Sequence, residues 1–196
     1  MMKIFSIRYW KRKRALKKIN NQHSGIYCSL DKAERIGFII DMALPDYEKA
    51  ATYLCHELRR RDKIFYAMAV DTRDSKEKAE YSFPNIKEIT LLTRKDTNRW
   101  GRPQSDIVAG FTYEKFDIFI DLSAPKRNFT LDYILKNVKS DLLIGTNYCP
   151  SDNYDLKVTA ETILPETNEN GETIDPEPVS GIILVKNILN YLTTIK

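Results

Sequence analysis

Three short apolar runs in this chain end on or beside an aspartate: Arg35 to Asp41, Lys63 to Asp71, and Phe116 to Leu122 with Asp121 next to last. If these runs are parallel strands, Asp41, Asp71 and Asp121 lie at the sheet end where open α/β folds place their ligands. Three carboxylates converging there would hold Mg²⁺ or a sugar through oxygen atoms. The opposing expectation gives each aspartate a structural duty, capping a helix or bracing the turn that leaves its strand. No pair of aspartates separated by one residue, the phosphohydrolase-type pattern, surrounds them.

A second candidate follows the third run. Ser123-Ala124-Pro125-Lys126-Arg127-Asn128 joins a strand to a helix start, where backbone N–H groups and the helix dipole favour phosphate. Ser123 and Lys126 would contact it, and Arg127 would do so bidentately. The segment has no glycine to let the backbone approach closely, so a solvated turn is the competing outcome. The first strand-to-helix turn, Asp41 to Pro45, also lacks every glycine of the dinucleotide fingerprint. That argues against a conventional NAD or FAD site.

Charge supplies the clearest asymmetry. The formal net charge is +4, yet eight of the 31 basic residues precede the first acid, Asp31, leaving 23 against 27 acids in the rest. Residues 1–25 therefore read as a basic arm on a mildly acidic body. Clustered Lys and Arg bind phosphate backbones through counterion release. Arg8, Lys11, Arg12, Lys13, Arg14, Lys17 and Lys18 are accordingly expected to contact RNA, with the ribosome as the expected partner. The loop Arg94 to Arg102 adds Arg99, Trp100 and Arg102. A Trp flanked by arginines is a recurrent platform for single-stranded RNA, or else an anchor tucked against a sheet edge. Phe5, Tyr9 and Trp10 also allow the arm to lie on an anionic membrane surface.

Other chemistries find little support. His56-Glu57-Leu58-Arg59-Arg60 lacks the second histidine of a zincin, and the only other histidine is His23;. Cys55 adjoins His56, but neighbouring helical positions do not face each other, so a core thiol is expected. Neither a Gly-x-Ser-x-Gly elbow nor a P-loop occurs;. Three cysteines, Cys28, Cys55 and Cys149, at no motif spacing read as free thiols in a reducing compartment;. No apolar run approaches the roughly 18 residues of a spanning helix, and the N-terminus lacks the apolar stretch of a secretory signal. A cytoplasmic location is expected.

The elements that must position these residues alternate. A helix is expected over residues 1–20, a break at 20–25, then strands at 35–41 and 63–71 flanking a helix opened by Pro45-Asp46. A further strand falls at 86–93 and a short helix near 105–111. The strand at 116–122 precedes a helix capped by Asn128, and a strand follows at 142–145. Residues 154–162 suit an edge strand, 165–178 a solvated loop, and 179–193 a closing helix. This alternation predicts an α/β fold: a doubly wound, mostly parallel Rossmann-like sheet of five to six strands, spanning 26–196 as one domain, with a basic N-terminal helix.

The stretch Phe116 to Gly145, with its Asp117-Ile118-Phe119-Ile120-Asp121-Leu122 strand and Asp141-Leu142-Leu143-Ile144-Gly145 ending, resembles an uncharacterised family of small Bacteroidota proteins. The basic N-terminal segment and the Trp100-Gly101-Arg102-Pro103 loop are similar to that family too. The resemblance covers most of the chain and implies no assigned activity. More distantly, the same thirty residues are similar to the N-terminal Rossmann-like half of heptosyltransferase-type glycosyltransferases. There too a strand ending Ile-Asp-Leu leads to a helix and a short strand running into glycine. The second, nucleotide-sugar-binding domain and the glycine-containing first turn of those enzymes have no match here, so no catalytic residue carries over. The expectation is a non-catalytic RNA- or ribosome-associated binding protein. The alternative is a protein or enzyme with a nucleotide or sugar-phosphate site at the strand ends, with Mg²⁺ as the conceivable cofactor.

Overall fold

The computed structural model describes residues 2–19, 22–73, 88–125, 128–147, 154–159 and 180–194, without the side chains of residues 2–8 and 22. Lys126, Arg127, Cys149, the side chains of Phe5 and Arg8, and the loop expected at 165–178 lie outside the described residues.

The apolar runs form the middle of a parallel sheet. Strand β2 (Arg35–Asp41) pairs on one side with β3 (Ile64–Val70) and on the other with β5 (Lys115–Leu122). Outside β3 lies β4 (Ile89–Leu92), and outside β5 lies β6 (Lys139–Thr146). The free edge of β6 takes two short strands end to end. These are β1 (Gln22–His23) at its start and β7 (Leu156–Val158) at its finish. Every strand pair is parallel. Counted from β2, the order across the sheet is third, second, first, fourth, fifth, sixth. The winding direction therefore reverses between β2 and β5, and the carboxyl ends of those strands are the topological switch point.

Central strands of such a sheet are apolar on both sides because helices cover both faces. One face packs Phe38, Ile40, Ile118, Ile120 and Ile144 against α2 (Tyr47–Arg60) and α5 (Gly181–Thr194). Ala50, Leu54 and Leu58 of α2 follow the helical period and meet Leu184, Ile188 and Leu192 of α5 in that core;. The other face packs Ile39, Met68, Phe116, Phe119 and Leu143 against α3 (Ala109–Thr112) and α4 (Phe129–Asn137). The Asn128 side chain accepts from the Leu131 N–H and so caps α4, as its residue type foretells;. Helix α1 (Met2–Lys17) lies on this second face, against α4.

Asp46 departs from its expected role. It adopts a left-handed backbone, φ 55°, and makes no side-chain cap for α2. Its carboxylate instead accepts from the Ser180 hydroxyl and the Gly181 N–H, each at 2.7 Å, and thereby caps α5. The break expected at 20–25 contains strand β1, held at the β6 edge by Asp155. Asp155 meets His23 Nδ1 at 3.0 Å through one carboxylate oxygen and accepts the Leu143 N–H at 2.8 Å through the other. Its carbonyl also accepts from the Tyr27 hydroxyl. Replacing Asp155 by alanine keeps the carbonyl that Tyr27 uses but strands His23 and the Leu143 N–H, so urea unfolding followed by circular dichroism is expected to show a loss of about 1–3 kcal/mol.

Candidate functional site

Two of the three expected aspartates flank the switch point, and both are fully buried. Asp41 closes β2; in β5, Asp121 is in register with Ile39, two residues earlier on the same face;. Asp41 accepts from the Thr72 hydroxyl, from the Ala43 N–H at 3.0 Å and from the Ala124 N–H at 3.3 Å. Asp121 accepts from the hydroxyls of Ser123 and Tyr154. Tyr154 reaches it by crossing Gly145, where a side chain would overlap its ring. Ser123 is thus turned toward Asp121 in the interior. Asp71 pairs with Arg73 at 3.0 Å instead. Among the described residues no three His, Cys, Asp or Glu side chains are grouped as metal ligands. The three carboxylates tie loops to strand ends.

Burial pushes the Asp41 carboxyl above its ordinary value, and the nearby Asp121 charge adds to this, against the lowering pull of its hydrogen bonds;. A group raised in the folded state contributes stability that is full below the ordinary aspartate value, about 4. That stability is lost as pH rises through the raised folded value. In urea unfolding followed upward from about pH 4, Asp41→Asn is expected to flatten the decline. The divergence from wild type is about 1.4 kcal/mol for each pH unit inside the window. Parallel pH curves for the two proteins would refute the assignment. Cys55, fully buried, has its thiol pushed up to about 12 by desolvation, as befits a core thiol.

The basic residues come together differently. The loop 94–103 is built to hold one shape. Thr93 and Asp96 form a capping box, and the Asn98 carboxamide oxygen accepts from the Trp100 and Arg102 N–H groups. Thr97 and Pro103 bridge its two arms. Gly101 sits at φ 86°, a conformation that glycine adopts without strain, and its carbonyl accepts from the Thr130 hydroxyl at 2.8 Å;. Helix α1 docks on this loop. Arg12 Nε donates to the Trp100 carbonyl at 2.9 Å while its guanidinium lies 5.1 Å from the centre of the Phe129 ring. Lys11 and Arg99 sit over the Trp100 indole at 4.6 and 4.7 Å, and Arg102 sits over Tyr133 at 5.2 Å;.

Two sets of residues about ninety positions apart therefore share one surface. Arg12 faces the body, whereas Lys13, Arg14, Lys17 and Lys18 are exposed. Trp100 is half covered by its cations rather than open for stacking. Trp10, 65 % exposed, is the open indole of the surface. It lies with Lys13, Arg14 and Lys17 at spacings of three, four and seven residues, on one side of the helix;. In the sequence Trp10 stood out only with Phe5 and Tyr9, as a residue for a membrane surface. Among the described residues no helix is long and apolar enough to cross a membrane.

No curated protein and no solved structure matches the chain, and the resemblance to heptosyltransferase-type enzymes has no counterpart there. One family model matches residues 3–169. The chain belongs to that family, a family of unknown function designated DUF6913.

Proposed function

We propose that this is a non-catalytic RNA-associated binding protein, working in the cytoplasm with the ribosome as its partner, whose contact surface is α1 together with the Trp100 loop. The observation that carries this reading is the docking of Arg12 and Lys11 onto Trp100, which merges two basic sets into one face. Lys13, Arg14, Lys17, Lys18 and Arg102 then offer cations to successive phosphates, and Trp10 offers an indole to a base. Lys11, Arg12 and Arg99 serve mainly to hold the helix and loop together.

A membrane surface suits this face less well. An interfacial helix inserts a segregated apolar side, but in residues 9–17 the exposed side mixes Trp10 with Lys13, Arg14 and Lys17. The carboxylate site fares worse still, because Asp41 and Asp121 are engaged by neighbouring hydroxyls and amides. Sedimentation of native lysate on a density gradient, with and without RNase, tests the proposal. The full chain is expected to travel with ribosomes or RNA and to return to the top after RNase, and a chain lacking residues 1–20 to stay at the top throughout. Full-length protein at the top in both conditions would overturn it.

A further inference from the structure

Beneath α1, at the carboxyl ends of β3 and β4, lies a cavity of about 440 Å³ that the RNA reading does not use. Its described lining includes four arginines, Arg12, Arg73, Arg94 and Arg99, and one acidic residue, Asp71. Asp71 is itself matched to Arg73 at 3.0 Å, so the described lining carries more positive than negative residues. The rest of the lining is largely polar, with Thr72, Thr93, Thr97, Thr130, Asn98 and Asn128. The volume is that of a small-ligand site, and the position is the end of the sheet at which open α/β folds bind ligands.

Two features argue for a built site. The loop supplying Arg94 and Arg99 is held by its own capping box and by Asn98. The arginines come from three separate segments of the chain, α1, the end of β3 and the loop after β4. Planar guanidiniums match phosphate oxygens bidentately, and several of them around one space suit an anion with more than one charge.

We propose that this cavity binds a phosphorylated small molecule, with a phosphate or pyrophosphate group among Arg12, Arg73, Arg94 and Arg99. Because Arg12 belongs to α1 and also holds the Trp100 carbonyl, the bound anion fastens the basic helix to the body. The inference stands independently of RNA binding.

The test uses the full chain and isothermal titration with four probes: inorganic phosphate, pyrophosphate, ADP and glucose 1-phosphate. Saturable binding of pyrophosphate and of at least one organic phosphate is expected, and the tighter of ADP and glucose 1-phosphate distinguishes a nucleotide from a sugar phosphate. Amide exchange over residues 9–18 should slow with the bound probe. Arg94→Glu and Arg99→Glu, both at exposed positions, should each weaken binding about tenfold or more. A chain with Lys13, Arg14, Lys17 and Lys18 changed to alanine should bind the probes as wild type does. Absence of saturable binding by every probe overturns the proposal. So does binding that survives both glutamate variants, or binding lost only in the α1 variant, which would put the anion on the helix surface instead.

Discussion

A chain carrying alanine at Lys13, Arg14, Lys17 and Lys18 should bind single-stranded RNA several hundredfold more weakly at about 0.1 M salt, and its salt dependence should be shallower by about three. The arithmetic follows from counterion release. Each neutralised phosphate contributes about 0.7 to the slope on a single strand, so four lost contacts remove about 2.8 decades of affinity between 1 M and 0.1 M salt. All four side chains are exposed, so the melting temperature should not move. Fluorescence anisotropy across a salt series measures both quantities. The weakening should be similar for every RNA sequence, because phosphate contacts position without specifying. Trp10→Ala gives the complementary pattern: a loss of about 1–3 kcal/mol from stacking with the slope unchanged. An unaltered slope in the four-alanine chain would mean that this face does not meet a phosphate backbone.

Gly37→Ala should lower the melting temperature by overpacking the core. Gly37 lies in the middle of β2, opposite Phe119 in the register with β5. A Cβ there would sit 2.5 Å from Phe119 Cδ2 and 3.0 Å from Phe116 Cδ1, and both rings are fully buried. Neither ring is free to yield. Phe119 packs on Phe116 at 5.4 Å between centroids and on Phe111 at 6.1 Å, while Phe116 meets Tyr66 at 5.7 Å. Overpacking of this kind costs about 1–3 kcal/mol. In a domain of this size that is a fall of roughly 2–12 °C in melting temperature. Gly110→Ala is the control: its nearest neighbour would be Tyr66 Cδ1 at 3.5 Å, an ordinary contact. Sitting in α3, it should be neutral or gain up to about 1 kcal/mol from helix propensity. Calorimetry of the two variants settles the comparison, and equal melting temperatures would show that the Phe116–Phe119 layer is softer than its packing implies.

These two predictions rest on features of different legibility. The continuous apolar runs at Arg35–Asp41, Ile64–Val70 and Lys115–Leu122 are strands buried on both faces, and that much is local. A β-branched and aromatic run bounded by turn residues has few other places to go. Asn128 capping α4 and Cys55 inside α2 are local in the same sense, since residue type and helical period decide them. The all-parallel sheet follows from strands alternating with helices, because a parallel pair needs a long crossover.

The remainder was settled by partners far away in the chain. Gln22–His23 is too short to declare itself, and it is a strand because the β6 edge at Lys139–Ser140 accepts it. Asp46 has the residue type and position of a cap for α2, yet its carboxylate serves α5, 135 residues onward. Asp41, Asp71 and Asp121 share a sequence pattern, but only the strand order shows Asp41 and Asp121 braced by Thr72, Ser123 and Tyr154 while Asp71 turns to Arg73. Arg73 and Arg94 have no motif around them and acquire a role only where β3 and β4 end beside the Trp100 loop. By itself the sequence determined which segments are buried, where helices start, and that positive charge gathers in the first eighteen residues. Only the tertiary structure decided which distant groups meet, because burial and turn chemistry are encoded within a few residues of one another, whereas the choice of partner across the sheet is a property of the whole packed chain.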